Sequence, residues 1–137
     1  MEHTLNWFKA TCAALGGLLG VFLGGWDGFL YALTAFIVID YLTGVMAAVI
    51  QKNLSSEVGF RGIFKKILIF ILVGVGSIID AYVLKDGSVI RTAVIFFYLS
   101  NEGISILENA SIIGLPIPQK LKDILEQLKE KDGNDHE

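Results

Sequence analysis

The sequence has few of the residues from which catalytic, metal and disulfide sites are built. Its 137 residues include one cysteine, Cys12, and two histidines, His3 and His136, at opposite ends of the chain. A single cysteine excludes an internal disulfide and a thiolate metal cluster. No nucleophile, base or ligand set converges elsewhere. The residues therefore predict no enzyme, no metal site and no cofactor.

Charged side chains are also missing from long stretches. Apart from Cys12 and the tyrosines, residues 10–26 have no ionisable side chain, residues 28–50 have only Asp40, and residues 67–84 have only Asp80. A helix on a soluble protein shows polar side chains every three or four residues, and these segments do not. About 20 apolar residues cross a hydrocarbon core ~30 Å thick. The sequence therefore predicts an integral membrane protein.

The apolar segments predict an all-α fold with four membrane spans, at about residues 7–26, 28–50, 67–84 and 88–107. Asp-Gly turns join the first span to the second and the third to the fourth, whereas a long basic loop, residues 51–66, joins the second to the third. Since no small-x-small cleavage site follows the first span, we expect it to be retained. These spans belong to a transmembrane domain over residues 1–117.

The composition changes after Pro116 and Pro118, each of which disfavours helix in the residue before it. Residues 118–137 are expected to form a cytoplasmic amphipathic helix and an acidic tail. Apolar residues recur there at helical spacing, at Leu121, Ile124, Leu125 and Leu128. This helix is expected to lie on the inner leaflet or to pack against copies of itself.

Basic residues predict the orientation, because short cytoplasmic loops are enriched in lysine and arginine. The C-terminal segment has four lysines, and the loop at residues 51–66 has four basic residues: Lys52, Arg61, Lys65 and Lys66. The first turn has none, and only Lys85 and Arg91 run against the pattern. Four spans with both termini in the cytoplasm fit best. Three spans would place the C-terminal lysines outside.

Small residues mark a helix-packing face. Gly16, Gly20 and Gly24 recur every four residues in the first span, and Gly44 follows Asp40 by one helical turn in the second. Membrane helices associate through close backbone approach at such faces. The glycines therefore predict an interface, either between copies of the chain or within one copy.

Polar residues in the spans predict a pore or an interface, because acidic groups inside a bilayer usually face protein or water. Asp40 lies near the middle of its span and Asp80 nearer an end. Seven polar residues of the fourth span fall within about 120° of a helical wheel: Arg91, Tyr98, Asn101, Glu102, Ser105, Glu108 and Asn109. One interpretation is a stripe hidden in an oligomer and later hydrated. The other is that Glu102 and Glu108 pair with Arg91 of another copy, or with Lys65 or Lys66, and only hold the bundle together.

Three stretches resemble the phage holins of the toxin-secretion and phage-lysis group, found in phages and prophages of Gram-positive bacteria. They are IDYLTGVMAA (39–48), SSEVGFRGIFKK (55–66) and NEGISILENASIIGLPIPQKL (101–121). The resemblance covers roughly residues 32–128. It implies a protein that oligomerises in the host cytoplasmic membrane and opens lesions, without catalysis. The matching residues are Asp40, Gly44, Gly59, Gly62, Lys65, Lys66, Asn101, Glu102, Glu108, Asn109, Pro116 and Pro118.

The resemblance further implies membrane lipid and other copies of the chain as partners, with an endolysin or a large toxin as the cargo that crosses the lesion. It implies no small-molecule substrate. Nucleic-acid binding is not indicated, since the basic residues are few and lack interleaved aromatics. Two alternatives stay open: a small transporter or channel subunit, which also uses intramembrane acids, and a membrane scaffold organised by the glycine face and the amphipathic helix.

Overall fold

A computed structural model describes the backbone of residues 1–134 and the side chains of residues 1–127. Within these residues the fold is all-helical. The helices are α1 (Glu2–Phe22), α2 (Gly28–Ile50), α3 (Ser56–Ile78, extended by a π-helical segment, Ile79–Leu84), α4 (Val89–Ile113) and α5 (Gln119–Asn134). The first four are long and apolar enough to cross a membrane, as the sequence predicts.

Local capping chemistry sets the helix starts. The Asp27 carboxylate accepts the Leu30 N–H at 2.9 Å and begins α2, and the Ser55 hydroxyl accepts the Val58 N–H at 3.2 Å and begins α3. The second cap corrects the expectation of a loop over residues 51–66. The connection ends at Ser55, so Arg61, Lys65 and Lys66 lie on a helix. Likewise, α1 ends at Phe22, and residues 23–26 form a turn rather than the end of the first span.

Helices α2 and α4 run parallel at the centre of the bundle. Phe29 and Phe96 pack against each other near one end, with ring centroids 5.2 Å apart and the ring planes tilted by 60°, and Asp40 meets Asn109 farther along. The core contains seven buried apolar side chains, Leu23, Leu30, Leu33, Ile37, Ile69, Val73 and Ile95. Because these come from α2, α3, α4 and the turn after α1, three helices form the body of the bundle and α1 lies at its side.

Helix α3 runs antiparallel to α4 and approaches it closely at Gly76. A Cβ atom at Gly76 would lie 3.2 Å from the Arg91 backbone. Arg91 also hydrogen-bonds to the turn at residues 23–27. Both short turns, residues 23–27 and 85–88, therefore lie at one end of the bundle, called the turn end below.

Helix α5 folds back along α4 of its own chain. Leu125 is buried, with its side chain against Gly103, while Leu121 and Ile124 are exposed. This contact differs from the expected placement on the inner leaflet or against other copies. The side chain of Leu128 and residues 135–137 of the acidic tail lie outside the described residues.

Candidate functional site

Three charged side chains from three helices meet between α2, α3 and α4. The Lys66 ammonium donates to Asp40 Oδ2 and to Glu102 Oε2, both at 2.7 Å. The side chains are 16% exposed for Lys66 and 10% for each acid. This set, called the Lys66 cluster below, joins residues that lie 26 and 36 positions apart in the chain.

Amide and hydroxyl groups complete the coordination of Asp40. The Asn109 side-chain amide donates to Asp40 Oδ1 at 3.0 Å and to the Asp40 carbonyl at 3.2 Å. It also lies 3.0 Å from the Thr43 hydroxyl, which in turn donates to the Ile39 carbonyl at 2.8 Å. Both oxygens of the Asp40 carboxylate therefore have partners, which fixes this side chain against α4.

The Lys66 cluster lies far from the turn end. At ~1.5 Å per residue, Glu102 is about 16 Å along α4 from Arg91, and Lys66 about 15 Å along α3 from Gly76. Asp40 is about 20 Å along α2 from Asp27. All three positions lie inside helices that are long and apolar enough to cross a membrane. Since isolated charges there are costly, the three groups stabilise one another only while the three helices stay together.

Two cavities reach the cluster from opposite sides of α3. One of about 220 Å³ lies between α2 and α3, with Tyr41, Gly44 and Gly62 in its wall. The other, of about 580 Å³, lies between α3 and α4 and includes Tyr98 and Asn101. Asp40, Lys66 and Ser105 line both. Between these two cavities, the ion pairs of Lys66 link α3 to α2 and to α4.

A second charged site closes the turn end. The Arg91 guanidinium donates to the Leu23 carbonyl at 2.6 Å, to the Gly25 carbonyl at 2.8 Å and to Asp27 Oδ2 at 2.8 Å. These hydrogen bonds hold the pKa of Asp27 below its ordinary value of 3.8, against a smaller opposing effect of partial burial. Arg91 thus ties the two short turns together, and it contacts neither Glu102 nor Glu108.

Asp80 is buried near the turn end, at the start of α4. It is 3% exposed, and its two carboxylate oxygens accept the Ile90 and Arg91 N–H groups at 2.9 and 2.8 Å. These are unpaired donors of the first turn of α4. Asp80 therefore caps α4 from the π-helical end of α3, in place of the cap that Ser88 does not provide.

The remaining residues of the predicted stripe separate into two groups. Ser105 and Asn109 lie at the Lys66 cluster, whereas Tyr98 and Asn101 line the cavity between α3 and α4. Glu108 is exposed. The structure thus gathers Asp40, Glu102, Ser105 and Asn109, and it places Asp80 and Arg91 at the other end of the bundle.

The glycines of α1 contact a side chain of their own chain. The Trp26 ring lies across Gly20, where a Cβ atom would be 2.7 Å from it, and the indole N–H donates to the Gly16 carbonyl at 3.3 Å. Gly24 has φ +86° in the turn, a conformation that favours glycine. Gly44 faces Asn109, 3.6 Å from the position of a Cβ atom.

The basic residues predicted for the cytoplasmic loop have different environments. Lys52 lies in the short connection with φ +56°. Arg61 is paired with Glu57 at 3.6 Å on an exposed face, and Lys65 is exposed. Only Lys66 is in the cluster. Its inclusion in a helix could have been expected from Ser55 and Glu57, which form an N-terminal capping signal.

Two contributors were not among the predicted site residues. Asp27 appears in the sequence only as a turn residue, and Thr43 as one hydroxyl in an apolar span. Their partners, Arg91 and Asn109, lie 64 and 66 positions away, so no local pattern marks them.

Fold and site together define a helical membrane protein with an ion cluster between its central helices. The chain belongs to the bacteriophage holin family, whose family model matches residues 17–130. That family is not one of enzymes. No solved structure matches the chain.

Relatives extend over nearly the whole chain. An uncharacterised 14.9 kDa protein of Clostridium perfringens, named for the nagH 3' region, is 44% identical over 131 residues, covering 96% of this chain and 99% of the relative. An uncharacterised protein of Listeria monocytogenes is 43% identical, covering 89% of this chain and 86% of its own. One from Bacillus subtilis is 37% identical, with coverage of 82% and 79%. The first of these alignments is long enough to include all four apolar helices.

Proposed function

We propose that this protein is a holin that self-associates in the bacterial cytoplasmic membrane and opens lesions, through which an endolysin or a toxin leaves the cytoplasm. It performs no catalytic step. The family assignment supports the class. The observation that carries the mechanism is the Lys66 cluster, a mostly buried charged set held by three apolar helices.

The cluster acts as a lock on the closed bundle. While Lys66 binds Asp40 and Glu102, these three charges are turned inward between α2, α3 and α4. When α3 moves away from α2 and α4, Lys66 loses both acids, and Asp40 and Glu102 lose their cation. Water is then the only solvent that stabilises them, so the separated state favours a hydrated lesion lined by several copies.

Membrane potential biases this equilibrium. Moving one elementary charge across the potential is worth about 2.3 kcal/mol per 100 mV. With both acids ionised, the cluster has two negative charges and one positive charge, and α3 carries the positive one. A displacement of α3 relative to α2 therefore moves charge through the field. Loss of the potential shifts the population between closed and open bundles by an amount set by that displacement.

The orientation proposed is a multi-pass arrangement with both termini in the cytoplasm and the turn end outside. Arg91 was the main exception to the distribution of basic residues. All three nitrogens of its guanidinium donate hydrogen bonds, to Asp27 and to two carbonyls. This supports the orientation, because Arg91 is then not one of the free loop charges from which the orientation is predicted.

The test is induction of this chain alone in a bacterium that also produces a muralytic enzyme without an export signal. We expect growth arrest, followed by appearance of the enzyme outside the membrane and lysis. Cells producing only the enzyme are the control and should keep growing. Normal growth with the enzyme retained, while the chain is present in the membrane at full length, would contradict the proposal. Steady ion flux without enzyme release would instead indicate a transporter or channel subunit, and neither effect would favour a scaffold.

A further inference from the structure

The outer side of the α3–α4 groove has polar groups without a hydrogen-bond or ion-pair partner among the side chains of residues 1–127. Asn101 lines this groove and makes no side-chain hydrogen bond to any of residues 1–127. Asn101 lies about 15 Å along α4 from Arg91, inside a helix long and apolar enough to cross a membrane. An amide at this depth has no water partner, and amides in membrane helices bond to other helices.

Unpaired charges of opposite sign flank Asn101. Lys65 lines the same groove, is exposed, and has no ion pair within the described side chains. Glu108 lies two turns beyond Asn101 on the same side of α4 and is likewise exposed. Lys122 of α5 lines a neighbouring groove with Glu108 but forms no ion pair with it. The face thus has a cation and an anion that need partners.

These features fit a second copy of the same chain. All copies insert in one orientation, so residues of equal depth meet across an axis normal to the membrane. An amide is both donor and acceptor, so two Asn101 side chains satisfy each other. Lys65 starts about 9 Å nearer the turn end than Glu108, and lysine side chains extend toward the nearer interface, which brings the ammonium toward the level of the carboxylate.

We propose that the contact between two copies of this chain is the face formed by the groove residues Lys65 and Leu68 of α3 and Tyr98 and Asn101 of α4, together with Glu108 beside the groove. Asn101 pairs with Asn101, and Lys65 of each copy pairs with Glu108 of the other. This contact gives a location to the self-association proposed above and rests on it. It leaves the Lys66 cluster closed within each copy.

The first experiment places a reporter cysteine on the face, in a Cys12→Ala background, without altering a polar group. Leu68→Cys and Val38→Cys are matched, since Leu68 is 54% and Val38 51% exposed at similar depths on different helices. Oxidation in membranes should cross-link Leu68→Cys into dimers and leave Val38→Cys monomeric. Adding Asn101→Leu should reduce the cross-linked fraction at least about fivefold. Equal cross-linking of the two cysteines would overturn the proposed face.

The second experiment separates pairing between copies from pairing within one copy. Lys65→Glu gives a chain with two acids at these positions, and Glu108→Lys gives a chain with two lysines. Neither variant should capture a tagged copy of itself, but the two should capture each other, because a mixed dimer restores both ion pairs. If the mixed pair associates no better than either variant alone, the charge pairing is wrong, and lipid phosphate or Lys122 is the partner of these side chains.

Neither experiment uses lysis as its readout, so the two proposals fail separately. Lysis with cross-linking at Val38→Cys instead of Leu68→Cys contradicts this interface and leaves the holin function standing. Cross-linking at Leu68→Cys in cells that never release enzyme contradicts the function and leaves the interface standing. Each signal is divided by the amount of full-length chain in the membrane, so that poor insertion of a variant is not counted as loss of contact.

Discussion

The Lys66 cluster and the Arg91 site are both built on ion pairs, but they differ in burial and in the elements that they join. Arg91 is 4% exposed, but its carboxylate partner, Asp27, has a side chain that is 45% exposed, and two backbone carbonyls complete the site. Lys66 is shared between two carboxylates that are both mostly buried. The comparison shows that one site fastens two turns through a partly exposed ion pair, whereas the other joins three helices through charged side chains that are mostly buried.

Removing Lys66 is the largest single disturbance expected. Lys66→Met leaves two buried carboxylates without their cation, and breaking a buried ion pair from one side costs about 3–5 kcal/mol. Glu102→Gln is the matched control, because it keeps a polar group toward Lys66 and leaves one acid for one base. Unfolding in mixed micelles is monitored by the loss of helical signal. The unfolding midpoint should shift strongly for the first variant and slightly for the second.

The triple variant Asp40→Asn, Lys66→Met, Glu102→Gln should be more stable than Lys66→Met alone. With no charge left at the cluster, most of the lost stability should return, since replacing a whole buried set by neutral groups is often close to neutral. If Lys66→Met and the triple variant were equally unstable, the ion pairs would not be what holds α3.

At the turn end, Arg91→Lys should have an intermediate effect. An ammonium cannot reproduce the planar fork that reaches Asp27 and two carbonyls together. A carbonyl left unpaired in a buried position costs about 1–3 kcal/mol. The same micelle measurement should place this variant between Lys66→Met and Glu102→Gln. A loss of stability as large as that of Lys66→Met would mean that the Arg91 site contributes as much to stability as the Lys66 cluster.

The smallest effect expected is the loss of stability at the Arg91 site in acid. The pKa of Asp27 is held below 3.8 in the folded chain by its hydrogen bonds from Arg91, so the stabilisation from this pair is complete above pH 3.8 and is lost as the pH falls farther. Asp27→Asn keeps the cap on Leu30 and removes the charge. The difference in unfolding midpoint between this variant and the parent should stay constant from pH 7 to pH 5 and shrink below pH 3.8. A difference that already shrinks above pH 5 would contradict this assignment.

Much of the fold could be predicted because lipid imposes simple rules on length and polarity. Helix α2 was predicted over its full range, as it has 23 residues with one charge and starts at an Asp-Gly turn. The start of α3 was not, because Lys65 and Lys66 look like loop residues when their partners are unknown. Those partners, Asp40 and Glu102, come from other helices, and only packing brings them together. The helical period of the sequence was enough to find the polar stripe on α4. It could not show that the residues of the stripe divide between the Lys66 cluster, the α3–α4 groove and the turn end.

The most direct test of the central claim, that charged groups held between α2, α3 and α4 become hydrated when the bundle opens, is thiol labelling at Ser105. This residue lines both cavities beside Lys66. In a Cys12→Ala background, Ser105→Cys should resist a membrane-impermeant thiol reagent in membranes with intact potential. It should react after the potential is collapsed and the enzyme is released, while Val38→Cys on the lipid-facing side stays protected. Release of the enzyme with Ser105→Cys still unlabelled, or equal labelling before and after collapse, would contradict the account.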